Sequence, residues 1–242
     1  MKPRIVKLGT LLLNGQPASI DAKCRGEKIS FGDSRLGDSL PFLDTGTFLV
    51  SSRVLCLGVE WNELNASGFI SGRPVCIDGA PYLCRSLKVG VMDSVCNEWD
   101  ALLDEYGEDD SLLEWNTRAC WGQEGSKTNN LLKMVRGGAS PRAWQACSAR
   151  SRYSIVGFRP VLEPLSPAPT ISNELIGREL TVYGPTGYVQ GFVLDITDYD
   201  LILDLKRDCK TGPRWGWMTI MKRRVAAVDR NAIVWMREIE ND

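Results

Sequence analysis

Between positions 135 and 159 the chain reads VRGGASPRAWQACSARSRYSIVGFR, with an adjacent Gly-Gly pair, five arginines and no acidic residue. A backbone running through Gly137 and Gly138 calls for φ > 0, or for an approach too close for a Cβ, so a tight turn is expected there. Arg136 and Arg159 stand near the two ends. Both suit buried charge-assisted hydrogen bonds to carbonyls or carboxylates that tie neighbouring loops together. Trp144 and Phe158 are candidate core anchors. Ile155, Val156, Phe158 and Val161 read as a buried last strand bounded by Pro160. The arginines admit two readings, structural staples or an anion-facing set.

Three pieces of this stretch, Val135-Arg136-Gly137-Gly138-Ala139, Ala149-Arg150-Ser151 and Gly157-Phe158-Arg159, form a pattern. It resembles the last motif of formylglycine-generating (sulfatase-modifying) enzymes and of the variable proteins of diversity-generating retroelements. The resemblance implies a C-type-lectin-like fold and therefore an α+β first domain. That fold hosts oxidases, receptors and inert binders, so the likeness bears on fold more than on function. The RGG…GFRPVLE arrangement is also similar to small proteins encoded by phages and prophages of Gram-positive bacteria. This implies a viral protein: a virion component, or a factor in the host cytoplasm such as an antagonist of host defence.

The chain has 242 residues, room for one large or two modest domains. A formal net charge of −1 provides no global field toward nucleic acid or membrane. Met1-Lys2-Pro3-Arg4 leads into a short strand and no run of 18 apolar residues occurs, so neither a signal peptide nor a membrane span is expected. Histidine is absent. That removes the commonest general base, the commonest metal ligand and the Ser-His and Cys-His nucleophile pairs. None of the eight cysteines forms a CxxC pair, so they are expected to be reduced, buried, small hydrophobes.

Residues 4–60 read as short strands and turns. Ile5–Leu13 ends at Asn14-Gly15, a hairpin signal, and Asp78-Gly79 marks another between Arg73–Ile77 and Tyr82–Leu87. Residues 25–47 are rich in Gly, Ser and Asp and read as loops, while Arg53–Val59 reads as a strand. Residues 93–114 carry nine acidic residues and no basic one. Within them Ser94–Tyr106 has apolar residues at helical spacing, with Ser94 as the N-cap. Asp104, Glu105, Glu108, Asp109 and Asp110 lack regular calcium-ligand spacing, so a solvated helix end competes with a calcium site.

Residues 160–170 contain four prolines. This places a first domain at 1–160, a linker at 161–170 and a second domain at 171–242. The tail shows five strand-like runs, Leu180–Tyr183, Tyr188–Ile196, Asp200–Leu205, Trp215–Met221 and Ala232–Ile239, with Gly184-Pro185-Thr186-Gly187 as the first turn, and suggests a small all-β barrel. Gly187, Val189 and Gly191 make a G-x-V-x-G that resembles the first motif of Sm-like domains. The likeness implies self-association through the barrel. The tail holds ten basic and eleven acidic residues, so a nucleic-acid surface is only weakly suggested.

Three functions follow as expectations. The first is a non-catalytic recognition protein for a protein or a small anionic ligand. Its pocket would be lined by Arg142, Trp144, Arg150, Arg152, Tyr153 and Trp121, with no catalytic residue, metal or cofactor. The second, implied by the resemblance, is a copper-dependent oxidase with two thiolates. Cys147 matches the later thiolate, but Arg142 stands five residues earlier where the other is needed. The third is a nucleotide- or nucleic-acid-binding protein. No Walker-type motif supports it, since Gly184-Pro185-Thr186-Gly187 lacks the spacing and the lysine.

Overall fold

The computed structural model describes residues 3–92, 96–165, 169–184, 187–206 and 216–239. The chain divides into two compact units, Met1–Leu165 and Ser166–Asp242.

Short strands joined by tight turns build the first unit. They are β1 (Arg4–Leu8), β2 (Thr10–Leu13), β3 (Gln16–Pro17), β4 (Ile29–Gly32), β5 (Leu40–Asp44), β6 (Leu49–Ser51), β7 (Arg73–Ile77), β8 (Ala80–Ser86), β9 (Ala119–Gly125), β10 (Leu132–Gly137), β11 (Trp144–Ser148), β12 (Val156–Gly157) and β13 (Pro160–Pro164). Two helices interrupt them, α1 (Trp61–Ala66) and α2 (Glu98–Tyr106). The strands form sheets in the orders β1-β5-β6-β13-β8-β7, β11-β10-β9-β12 and β3-β2-β4.

Both expected hairpins form. Asn14 and Gly15 have φ of 50° and 78°, and Asp78 and Gly79 have 53° and 75°, the doubly positive pattern of a two-residue turn that matches strand twist. The run expected as one strand over Ile5–Leu13 is broken at Gly9, where φ is +66°. There the chain leaves the six-stranded sheet and enters the three-stranded one.

Several expectations are corrected. The fold is all-β rather than α+β, with only two short helices among the described residues. The physical reason is that α2 is short: Asn97 caps it by accepting from the Asp100 N–H at 2.8 Å, and Gly107 ends it at φ +85°. Ser94, the expected cap, lies outside the described residues. The presumed loop 25–47 contains β4 and β5, and Arg53–Val59 makes only isolated bridges. Ile155 is exposed, and Pro160 opens β13 instead of closing a strand. Of the segment expected as linker, 161–164 belongs to β13, paired between β6 and β8; residues 166–168 lie outside the described residues.

Two apolar clusters fill this unit. One gathers Leu11, Phe31, Phe69, Trp121 and Phe158; the other gathers Trp99, Leu102, Leu113, Cys120 and Val161. Phe69 sits 5.8 Å from Phe31 and 5.3 Å from Phe158, ring centre to ring centre. Burying each such side chain contributes roughly 1.5–3 kcal/mol.

The second unit holds β14 (Glu179–Gly184), β15 (Gly187–Ile196), β16 (Asp200–Leu205), β17 (Met218–Lys222), β18 (Val225–Asp229) and β19 (Trp235–Glu238). They curl into a half-barrel sheet in the order β17-β18-β16-β15-β14-β19 around Leu180, Val182, Val189, Leu203 and Val228. Gly191 lets β15 bend, because a Cβ there would stand 2.5 Å from the Asp204 carbonyl oxygen. β18 was not anticipated: its inner residues are Ala226 and Val228, a weak apolar signal. The middle of the expected 184–187 turn and the start of the expected strand at Trp215 lie outside the described residues. Among the described residues no helix is long and apolar enough to cross a membrane.

Candidate functional site

The RGG turn is built as its glycines require. Gly137 and Gly138 have φ of +91° and +92°. A Cβ on Gly137 would lie 2.8 Å from the Arg118 carbonyl oxygen. The Gly138 N–H donates to the Trp115 carbonyl at 2.7 Å, and its own carbonyl accepts from Thr117 at 3.0 Å.

The arginines around this turn are occupied internally. Arg136 is buried, stacks 3.8 Å from the Trp144 ring centre and donates both terminal nitrogens to the Asp100 carboxylate. Burial pushes the Asp100 carboxyl up, but hydrogen bonds from Arg136 and Asn97 outweigh it and hold the group below the usual carboxylate range. Arg142 donates Nε to Glu108 and Nη2 to Asp104, each at 2.6 Å. Arg159 is wholly buried and donates to the carbonyls of Ser51, at 2.6 Å, and Glu114. All three tie loops to α2 and β6, which is a structural role.

The acidic run is consumed in the same way. Asp104 and Glu108 face Arg142. Asp109 accepts from the Ser111 N–H, and Asp110 from the N–H groups of Trp115 and Asn116 at 2.7 and 2.5 Å. Glu114 accepts from the Val54 N–H at 2.9 Å. These oxygens serve chain turns.

A cavity of about 180 Å³ opens elsewhere, lined by Lys23, Cys24, Arg25, Leu57, Gly58, Arg152 and Ser154. Two of its lining residues, Lys23 and Leu57, form an isolated bridge, reinforced by Cys24 N–H donating to the Leu57 carbonyl at 2.9 Å. Arg152 closes one wall. Its Nη1 donates to the carbonyls of Gly58 (3.1 Å) and Cys24 (3.3 Å). Its guanidinium also forks onto Glu63, whose carboxylate in turn caps α1, and meets Glu60 at 3.3 Å. Lys23 and Arg25 are exposed and make no ion pair to a described residue. The Arg25 N–H donates to Glu27, and this backbone hydrogen bond is the main cause holding the Glu27 carboxyl below its usual range.

The six anticipated pocket residues are spread over several places. Trp121 is wholly buried, with its indole N–H on the Val59 carbonyl at 2.9 Å. Tyr153 lies edge-on to it at 6.0 Å and accepts from the Ser148 N–H through its hydroxyl. Trp144 sits under Arg136, and Arg142 lies against α2. Arg150 is exposed with no ion pair to a described residue. Only Arg152 borders the cavity. Cys147 lies in β11, half-buried, and burial raises its thiol above the usual range.

Lys23 and Arg25 were missed by sequence reasoning. The available signal was the alternation Lys23-Cys24-Arg25, two cations flanking a residue that buries. No protein-family model, curated protein or solved structure matches the chain.

Proposed function

We propose that this chain is a non-catalytic recognition protein that captures a small anionic group, phosphate or carboxylate, in the cavity bordered by Lys23, Arg25 and Arg152. The observation that carries the reading is a concavity of about 180 Å³ beside two exposed cations with no ion pair to a described residue. Arg152 is already matched by Glu60 and Glu63, so it holds the wall while Lys23 and Arg25 supply the charge. The Ser154 hydroxyl adds a neutral hydrogen-bonding group. Ligand pockets for larger molecules run to roughly 300–1,000 Å³, so this one suits a phosphoryl or carboxyl group with a small appendage. In this proposal the half-barrel unit docks the protein or joins it to further copies, and the phage setting rests on the RGG…GFRPVLE resemblance.

Calorimetric titration with inorganic phosphate and with adenosine 5′-monophosphate tests the reading. The wild type is expected to bind at least one, and the double variant Lys23→Glu/Arg25→Glu to bind it about tenfold or more weakly at unchanged melting temperature. No binding by the wild type, or equal binding by the variant, overturns it.

A further inference from the structure

Cys24 and Cys56 are both free, both wholly buried and both members of one apolar cluster. Far apart in sequence, they are brought together by the Lys23–Leu57 bridge and the Cys24-to-Leu57 hydrogen bond of 2.9 Å. A Cβ on Gly58 would touch the Cys24 carbonyl oxygen at 3.4 Å, so the two backbones are closely apposed. Cys56 has φ of +53°, a left-handed conformation uncommon for a residue with a side chain. Cys24 borders the cavity, whereas Cys56 does not.

We propose that Cys24 and Cys56 are a redox modification site, closed to a reversible disulfide by a small hydroperoxide entering the cavity. Cys24 lines the cavity and Cys56 does not, so Cys24 is the sulfur that meets the peroxide first. The Cys24 thiolate attacks one oxygen of hydrogen peroxide, and the O–O bond breaks. Cys24 becomes a sulfenic acid, and the departing hydroxide takes the proton that the thiol released, leaving as water. The Cys56 sulfur then attacks the Cys24 sulfur; the S–S bond forms, the S–O bond breaks, and the hydroxide leaves with the Cys56 proton as a second water. Two thiols are oxidised and one peroxide is reduced to two waters. The bond would lock the Cys24 segment to the segment carrying Leu57 and Gly58, which frames the cavity. The inference stands independently of any anion bound there.

The full-length protein is treated with hydrogen peroxide under native conditions, quenched, denatured, alkylated and mapped by mass spectrometry. A peptide pair joined through Cys24 and Cys56, lighter by about 2 Da than its reduced halves together and separated by dithiothreitol, is the expected result. Cys84 is wholly buried and borders no part of the cavity, so it serves as the internal control and is expected to oxidise at least about tenfold more slowly. Three outcomes overturn the proposal: both thiols alkylating fully after peroxide, Cys24 passing to sulfinic acid with Cys56 still free, or Cys84 reacting as fast as the pair.

Discussion

The two glycines of the RGG turn share a conformation but not an environment, and this separates two physical costs. Gly138 has φ of +92° and room for a methyl group, its nearest neighbour being the Gln145 amide nitrogen at 3.6 Å. Gly138→Ala therefore meets mainly backbone strain, about 1–2 kcal/mol. Gly137 has the same strain and, in addition, the Arg118 carbonyl oxygen 2.8 Å from its would-be Cβ. A backbone oxygen cannot move aside as a side chain can, so Gly137→Ala is expected to cost about 3 kcal/mol or more. Urea unfolding followed by tryptophan fluorescence checks the order, and equal midpoints for the two variants would refute it. The turn was legible in the sequence because its requirement is local: glycine where φ is positive. The partners of Arg136, Arg142 and Arg159 were not, since Asp100, Asp104, Glu108 and the Ser51 carbonyl come from segments far away along the chain. An arginine-rich run looks the same whether its charges face a ligand or a distant helix.

At the scale of elements, several departures from expectation trace to pairing between segments that are separated along the chain. The Asn14-Gly15 and Asp78-Gly79 hairpins and most of the tail strands were readable from turn residues and alternation. β4 and β5, hidden in a Gly- and Ser-rich segment, were not. Both form because strands outside the segment offer them partners, β2 for one and β1 with the adjacent β6 for the other. The same logic applies to β13. It lies inside the six-stranded sheet, with Val161 opposite Val50 on one side and Arg85 on the other. Proline at its first position loses no ladder bond that a starting residue needs. A chain ending at residue 165 is expected to fold cooperatively, because it keeps this strand and every sheet of the first unit. A chain ending at residue 159 removes a central strand and leaves β6 and β8 without their shared neighbour, so it is expected to lose fixed tertiary structure. Near-ultraviolet circular dichroism of the two fragments decides it; a native-like spectrum for the shorter one would show that β13 is dispensable.

For the whole molecule, the half-barrel sheet has two outer strands to protect, β17 and β19. A sheet that does not close leaves unpaired backbone groups, and proteins shorten, charge or cover such edges. Among the described residues β17 is an edge, on which Ile220 and Met221 are 45% and 63% exposed. Only Lys222 supplies a charge within the strand. The opposite edge is β19, whose outer end carries Arg237 and Glu238. An apolar, weakly charged edge facing water at one end of a sheet suits strand-to-strand pairing with a second copy, as already proposed for this unit. Light scattering of the full chain at micromolar concentration is therefore expected to report an oligomer, and the fragment ending at residue 165 a monomer. The double variant Ile220→Lys/Met221→Glu places charges on two residues that are already exposed, so it is expected to shift the full chain toward monomer with a melting temperature within a few degrees of wild type. A full-length chain that is monomeric at that concentration would remove the half-barrel from any role in assembly, leaving it as a docking module for a different partner.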